Sequence, residues 1–240
     1  MKKPSKTLNI LSLVIFITAA LIGFLFNTLA FWADFEASLF ASSITGDENL
    51  SGLRCPILIG NQENGVLKLN INNPLERDIA PVVRGNVSEG LVTLIRQEEY
   101  KPSLAPGETQ ALEFLVSPED AAWNRFILFR VNQLPVYPIP SLTNTCGVVV
   151  VPLPVNGSWF TPVLALGSLL GMGAGLMLWV SNNKPLNKRT REAAIAMVAV
   201  ALVMLTGIIA AYTAQMLVGL LLVVISILLA VAMLAYFSRD

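Results

Sequence analysis

Four long apolar stretches without a charged residue constrain this chain more than any other feature of its sequence. They are residues 10–31, 163–180, 193–212 and 216–237. About 20 apolar residues, at a rise of 1.5 Å per residue, cross the hydrocarbon core of a bilayer as a helix. We therefore predict a membrane α-helical bundle of four spans, with the third and fourth joined as a tight hairpin around residues 213–215.

The first stretch follows Lys2, Lys3 and Lys6, which is also how a secretory signal peptide begins. A signal core has only 7–15 apolar residues and ends at a small-residue cleavage site. This stretch is longer, and no clean A-x-A site follows it. An uncleaved anchor is therefore favoured over a cleaved signal.

The charges around the four stretches are distributed unevenly. Between residues 32 and 159 there are 14 acidic and eight basic residues, a net charge of −6. The basic residues near the stretches are Lys2, Lys3, Lys6, Lys184, Lys188, Arg189, Arg191 and Arg239. Cytoplasmic loops carry an excess of Lys and Arg. We predict a multi-pass protein of the plasma membrane, with residues 1–9, the loop 181–192 and the C-terminus cytoplasmic and residues 32–158 extracytoplasmic.

The basic loop 181–192 has a second interpretation, contact with anionic lipid headgroups. Four basic residues are too few to predict nucleic-acid binding.

Residues 53–158 show short alternating apolar runs separated by turn residues, which is typical of an all-β sandwich. In "GVLKLNI", residues 65–71, every second side chain is aliphatic. Seven strands are predicted, at residues 54–59, 65–71, 79–87, 91–96, 110–116, 125–131 and 146–153. The preceding residues 32–52 are either a helical extension of the first span or an unstructured linker.

One motif adds a family resemblance. "SLAPGETQALEFLV", residues 103–116, resembles the signature of bacterial and archaeal immunoglobulin-like sandwich domains, among them the cell-adhesion-related domain found in bacteria. The preceding "LKLNINNPLERDIAPVVRGNV" is similar to their strand–turn–strand pattern, so the resemblance covers about residues 53–153. It implies an immunoglobulin-like fold and a surface location, and it brings no catalytic residues.

Cys55 and Cys146 are the two cysteines of the chain. Both lie in the segment predicted to be exported, where disulfides persist. We predict a disulfide between the start of the first strand and the start of the last, at the membrane-facing base of the sandwich. Two buried free thiols are the alternative.

Gly167, Gly171 and Gly175 recur every four residues in the second stretch, a spacing that lets helices approach closely. The face they share either packs against another span of this chain or binds a partner subunit or a second copy.

The chain lacks residues for several kinds of chemistry. It has no histidine, which excludes Ser-His-Asp and Cys-His sites and His-ligated metals. No Asp, Glu, Lys or Arg lies within the four stretches, although ion and proton pathways usually contain them. We expect no catalytic residue, no cofactor and no metal ligand.

These features favour a non-enzymatic surface or accessory protein that presents a disulfide-bonded sandwich for protein or polymer contacts. The alternative is a non-catalytic subunit of a transporter or a membrane-enzyme complex. Besides the lipid bilayer, a protein could bind through the glycine face or through the sandwich. "QLPVYPIPS", residues 133–141, is either a stiff loop or a docking loop with Leu134, Val136, Tyr137 and Ile139 exposed.

Overall fold

The structure, a computed structural model, describes residues 5–213 and 216–237, with side chains described for residues 5–213 and 218–229. It divides into two units, one made of residues 1–31 and 161–240 and the other of residues 32–160. The first unit is helical and the second is rich in β-strands, so each is described by itself.

The described residues contain four α-helices, which are α1 (Lys6–Leu39), α2 (Gly157–Asn182), α3 (Lys188–Tyr212) and α4 (Met216–Phe237). By length and composition, α1, α2 and α3 are long and apolar enough to cross a membrane. In α4 the described apolar side chains cover Val218–Leu229.

Residues 32–52 begin as helix rather than linker, because α1 continues to Leu39. The Phe40 amide still bonds to the Glu36 carbonyl at 3.0 Å, and Ala41 then takes a left-handed φ of 47°. A left-handed residue just after the last turn is a common way for a helix to end. Within this terminal segment, Ala33 and Ala37 are completely buried.

Nine β-strands form two sheets in residues 32–160. They are β1 (Glu48–Asn49), β2 (Leu53–Arg54), β3 (Leu58–Gly60), β4 (Gly65–Asn72), β5 (Val83–Glu89), β6 (Leu91–Tyr100), β7 (Thr109–Val116), β8 (Phe126–Gln133) and β9 (Leu142–Val151). The large sheet has six strands in the order β1-β9-β8-β5-β6, with β3 also paired to β9. The small sheet has three strands in the order β2-β4-β7. A one-turn 3₁₀ helix, Pro118–Asp120, precedes β8.

The two sheets share one hydrophobic core, as expected of a sandwich-like domain. In β4 the side chains of Leu67, Leu69 and Ile71 are buried and the residues between them are more exposed, which is the period of two predicted from the sequence. The centroid of the Phe114 ring, in the small sheet, lies 5.0 Å from the centroid of the Phe129 ring, in the large sheet. The prediction of a β-sheet domain is confirmed.

Several strand bounds differ from the prediction for identifiable reasons. The run 54–59 is two strands, because Pro56 has no amide to donate between them. The run 79–87 becomes a strand only at Val83, after Pro81, and Ile79 makes an isolated bridge. The last strand begins at Leu142 rather than at residue 146, because the polar residues that open it pair with β8 and β1.

Candidate functional surfaces of the β domain

The disulfide between Cys55 and Cys146 is present, with the two Cα atoms 6.5 Å apart. Its position differs from the prediction, since Cys55 lies between β2 and β3 and Cys146 lies in the middle of β9. β2 belongs to the small sheet and β3 to the large one, so the chain passes from one sheet to the other at Cys55. The disulfide connects this crossing point to the centre of β9. Its role in the domain is structural.

A buried arginine holds the end of α1 and the turn after it. The Arg130 guanidinium on β8 donates three hydrogen bonds, from Nε to the Phe40 carbonyl (2.7 Å), from Nη1 to that of Ile44 (2.8 Å) and from Nη2 to that of Ser38 (2.7 Å). Burial lowers the pKa of this guanidinium, but an arginine retains its charge in proteins. This role was not predicted from the sequence, where its only signal is one basic residue in the apolar run "FILFRV".

Gly147 on β9 is a point of close approach between α1 and the large sheet. A Cβ at this position would collide with the backbone of Ala33. Asp34 Oδ1 accepts a hydrogen bond from the Gly147 amide at 3.0 Å. The last turns of α1 are therefore part of the β domain.

The carboxylate of Asp120, in the one-turn 3₁₀ helix, serves the local fold. Asp120 accepts a hydrogen bond from the Ser117 amide at 2.7 Å and forms an ion pair with Arg96 at 3.1 Å. Within residues 5–213 and 216–237, no group of three or more His, Cys, Asp and Glu side chains could hold a metal ion.

The two ends of the β domain can be told apart by the course of β9. We call the end where the chain leaves for α2 the near end, formed by residues 60–65, 89–95, 115–125 and 150–157. The end before β9, formed by residues 134–141, is the far end. The ten residues of β9 lie between them, roughly 30 Å at 3.3 Å per residue. At the near end, Glu63 Oε2 accepts hydrogen bonds from the amides of Gly60 (3.2 Å) and Gly157 (2.6 Å).

The far end carries the proline-rich loop, and most of its apolar side chains are not a free surface. Val136 and Ile139 exchange backbone hydrogen bonds of 3.1 and 2.7 Å and pack against the domain core. Arg77 Nη2 donates to the Tyr137 carbonyl oxygen. The Tyr137 side chain projects from this turn and is 86% exposed.

In the helical unit, the three predicted glycines are not equivalent. A Cβ at Gly171 would lie 2.7 Å from Ala19 Cβ, and one at Gly175 would lie 2.8 Å from Phe16 Cβ and 2.9 Å from the Ser12 carbonyl oxygen. A Cβ at Gly167 would meet nothing within 4 Å. Gly171 and Gly175 thus face α1 of the same chain, and Gly167 does not take part in that contact.

This difference predicts different effects of two alanine substitutions in α2. Gly175→Ala should lower the thermal stability of the helical unit, by about 1–3 kcal/mol, because α1 must move away from the added methyl group. Gly167→Ala adds the same methyl group in open space, and the better helix propensity of alanine should leave stability unchanged or slightly higher. Loss of helical circular dichroism on heating in detergent measures both, and equal effects would contradict the assignment.

The residues predicted to determine topology are placed as follows. Lys6 is the first residue of α1, and Lys188, Arg189 and Arg191 lie in the first turn of α3, preceded by the exposed Lys184. Lys2, Lys3 and Arg239 lie outside the described residues. Basic residues at a helix N-terminus oppose the helix dipole. Their position is thus unfavourable with respect to the helix dipole, and membrane orientation is the role that we predict for them.

Comparisons with known proteins give distant structural similarities. No family model and no curated protein matches the chain. The chain is similar to the crystal structure of the CARDB domain of the PF1109 protein from Pyrococcus furiosus in complex with di-metal ions, at 14% identity and a TM-score of 0.31, covering 42% of this chain and 91% of that one. It is also similar to a β-glucosidase from Erythrobacter marinus, at 20% identity and a TM-score of 0.30, covering 42% of this chain and 15% of that one. A third similarity is to a cycloisomaltooligosaccharide glucanotransferase from Paenibacillus sp., at 8% identity and a TM-score of 0.33. It covers 44% of this chain and 14% of that one. The chain thus spans a small part of either carbohydrate enzyme, and no functional conclusion rests on similarities this weak.

Proposed function

We propose that this chain is a non-enzymatic, multi-pass protein of the plasma membrane that presents its β domain outside the cytoplasm for contacts with another protein or a polymer. In this proposal α1 to α4 are four spans, both termini and residues 181–192 are cytoplasmic, and the β domain is immunoglobulin-like. The length and apolar composition of α1, α2 and α3 support the spans.

Hydrogen bonds within the helical unit support the proposed orientation. Asn183 Nδ2 donates to Asn9 Oδ1 at 2.7 Å, and Asn182 Nδ2 donates to the Ser5 carbonyl at 2.8 Å. The start of α1 and the end of α2 therefore lie on the same side, which carries Lys6 and the basic loop. By the positive-inside rule that side is cytoplasmic.

The observation that carries the proposed contact function is the ordered, exposed Tyr137 at the far end. Its turn is fixed by two backbone hydrogen bonds and by Arg77, so little conformational entropy would be lost on binding. Tyrosine is among the residues that contribute most to protein–protein affinity, because it combines apolar area with a hydroxyl group. The far end is also the part of the domain most distant from where the chain leaves for α2.

Site-specific photo-crosslinking in native membranes tests this proposal. A benzophenone amino acid at Tyr137 should give adducts of defined mass with a protein or a polymer. The same amino acid at Gln97, an exposed position on β6, is the matched control and should give none. A chain that remains without adducts at Tyr137 would contradict the proposal. A transporter or membrane enzyme in the adduct would favour the alternative role of a non-catalytic subunit.

A further inference from the structure

The exposed large apolar side chains of residues 40–158 are concentrated at one end of the β domain. Seven such residues occur, and they are Leu91, Leu94, Ile95, Leu115, Trp123, Tyr137 and Leu153. Only Tyr137 is at the far end. The other six are at the near end. Leu115 belongs there because the next residue, Val116, pairs with Gly65 at the end of β7. Scattered exposed apolar residues are normal on soluble domains, but a concentration at one end indicates a contact.

The tip of the β5–β6 hairpin supplies three of these side chains. Glu89 pairs with Leu91 and Ser88 pairs with Ile95, so residues 92–94 of β6 have no partner on β5 and bulge between these two pairs. Since β6 is the last strand of the large sheet, this uncharged run of five residues, "LVTLI", lies on a sheet edge. Leu94 is 51% exposed. An exposed apolar edge strand promotes aggregation unless something covers it.

A tryptophan projects from the neighbouring turn at the same end. Trp123 and Asn124 have positive φ angles of 53° and 56°, and the Trp123 side chain is 52% exposed. The next residue, Arg125, accepts a hydrogen bond from the Val150 amide at 2.7 Å, which places this turn beside the end of β9. A left-handed conformation is unusual for a bulky residue, and here it points an indole into solvent at the near end.

The chain both reaches and leaves the β domain from the side of the near end. Ala33 and Asp34 contact Gly147, and the chain then runs to Asp47, which bonds to Ser141 at the far end. After β9, residues 152–157 lead into α2, and Trp159 in its first turn is 75% exposed. Within residues 32–160, the first and the last residues therefore both lie towards the near end.

We propose that the hairpin tip 91–95 and Trp123 insert into the boundary between headgroups and acyl chains of the outer leaflet. This inference rests on the proposed membrane topology and adds a second, peripheral contact with lipid. Leucine and isoleucine bury their side chains in that boundary, and tryptophan is enriched there. Arg125, an exposed residue two positions after Trp123, carries the positive charge that lipid phosphates attract. The result would be a β domain held at a fixed height and tilt by lipid contacts besides its two covalent connections.

Photo-crosslinking to lipid tests this contact on the full chain. The protein is reconstituted in liposomes of phosphatidylcholine with phosphatidylglycerol, with a benzophenone amino acid at one position in each variant. Leu94 and Trp123 are the test positions. Gln97, further along the same strand, is the negative control, and Leu170, an exposed side chain of α2, is the positive control. Mass spectrometry without reductant detects lipid adducts and checks that the disulfide is intact.

We expect lipid adducts at Leu94, Trp123 and Leu170 and none at Gln97. Adducts at Leu170 but at neither test position would overturn the inference and leave the membrane topology standing. Adducts between two copies of the chain at Leu94, in place of lipid adducts, would also overturn it, because they would show that a second copy covers the edge strand. Absence of lipid at Leu170 would overturn the proposed topology, and this inference with it. If one test variant fails to form the disulfide, the other test position decides the result.

Discussion

Removal of the disulfide should destabilise the β domain by about 4–5 kcal/mol. The bond joins residues 91 apart in sequence, and the chain-entropy model for a loop of that size gives this value. In the double variant Cys55→Ser, Cys146→Ser, the slowest amides of β8 and β9 should then exchange with solvent about a thousandfold faster, since each 1.4 kcal/mol is a factor of ten. Native-state hydrogen exchange of the full chain, reconstituted in a bilayer, measures the change.

The single variants separate the cross-link from the packing of the two side chains. If the cross-link dominates, Cys55→Ser alone should cost nearly as much as the double variant, because either substitution opens the same loop. Cys146 is buried in the core and Cys55 is partly buried, so serine adds a smaller packing loss at each position. Losses that simply add in the double variant would contradict a shared cross-link.

The main helices and strands of both units were predictable, because each kind follows from one strong signal in the sequence. Uncharged apolar runs correspond to α1, α2 and α3, and alternation with a period of two corresponds to β4 and β7. Those strands have one face on the core and one on solvent, so their side chains alternate. Prediction was weaker for β8, which is buried on both faces and shows no alternation.

The parts that sequence reasoning missed depend on contacts between distant residues. Nothing local to Gly147 shows that Ala33 will lie against it, and nothing local to Arg130 shows that its three acceptors are backbone carbonyls of residues 38–44. The short strands β1 and β3 form because each of them pairs in parallel with β9. Such features are fixed by tertiary structure and leave little trace in local composition.

The near end shows why an exposed surface is harder to predict than a core. The run 91–96 was assigned to a strand correctly, but its leucines are the residues one expects inside a sandwich. Their exposure follows from two facts that only the fold supplies. β6 is an edge strand, and its residues 92–94 bulge out of the pairing with β5.

Substitution of Arg130 should have an effect of similar size to loss of the disulfide, but confined to one part of the domain. Arg130→Met keeps most of the side-chain volume and leaves the carbonyls of Ser38, Phe40 and Ile44 without their donor. A buried carbonyl that loses its hydrogen bond costs about 1–3 kcal/mol, and partial hydration of the three should bring the total to about 3–5 kcal/mol. The amides of residues 33–44 should lose their protection from exchange before those of the β-sheets.

Two further variants show whether the three hydrogen bonds of the Arg130 guanidinium or its positive charge stabilises the end of α1. Arg130→Lys keeps the charge but has one ammonium group in place of a planar guanidinium that reaches three acceptors, so it should recover only part of the loss. Arg84→Met is the matched control on the neighbouring strand β5. Its guanidinium is partly exposed and pairs with Glu99 at 2.9 Å, so its removal should cost less than about 1 kcal/mol. Full recovery by lysine would show that a single cation suffices, and the end of α1 would then be held by charge rather than by the geometry of the guanidinium.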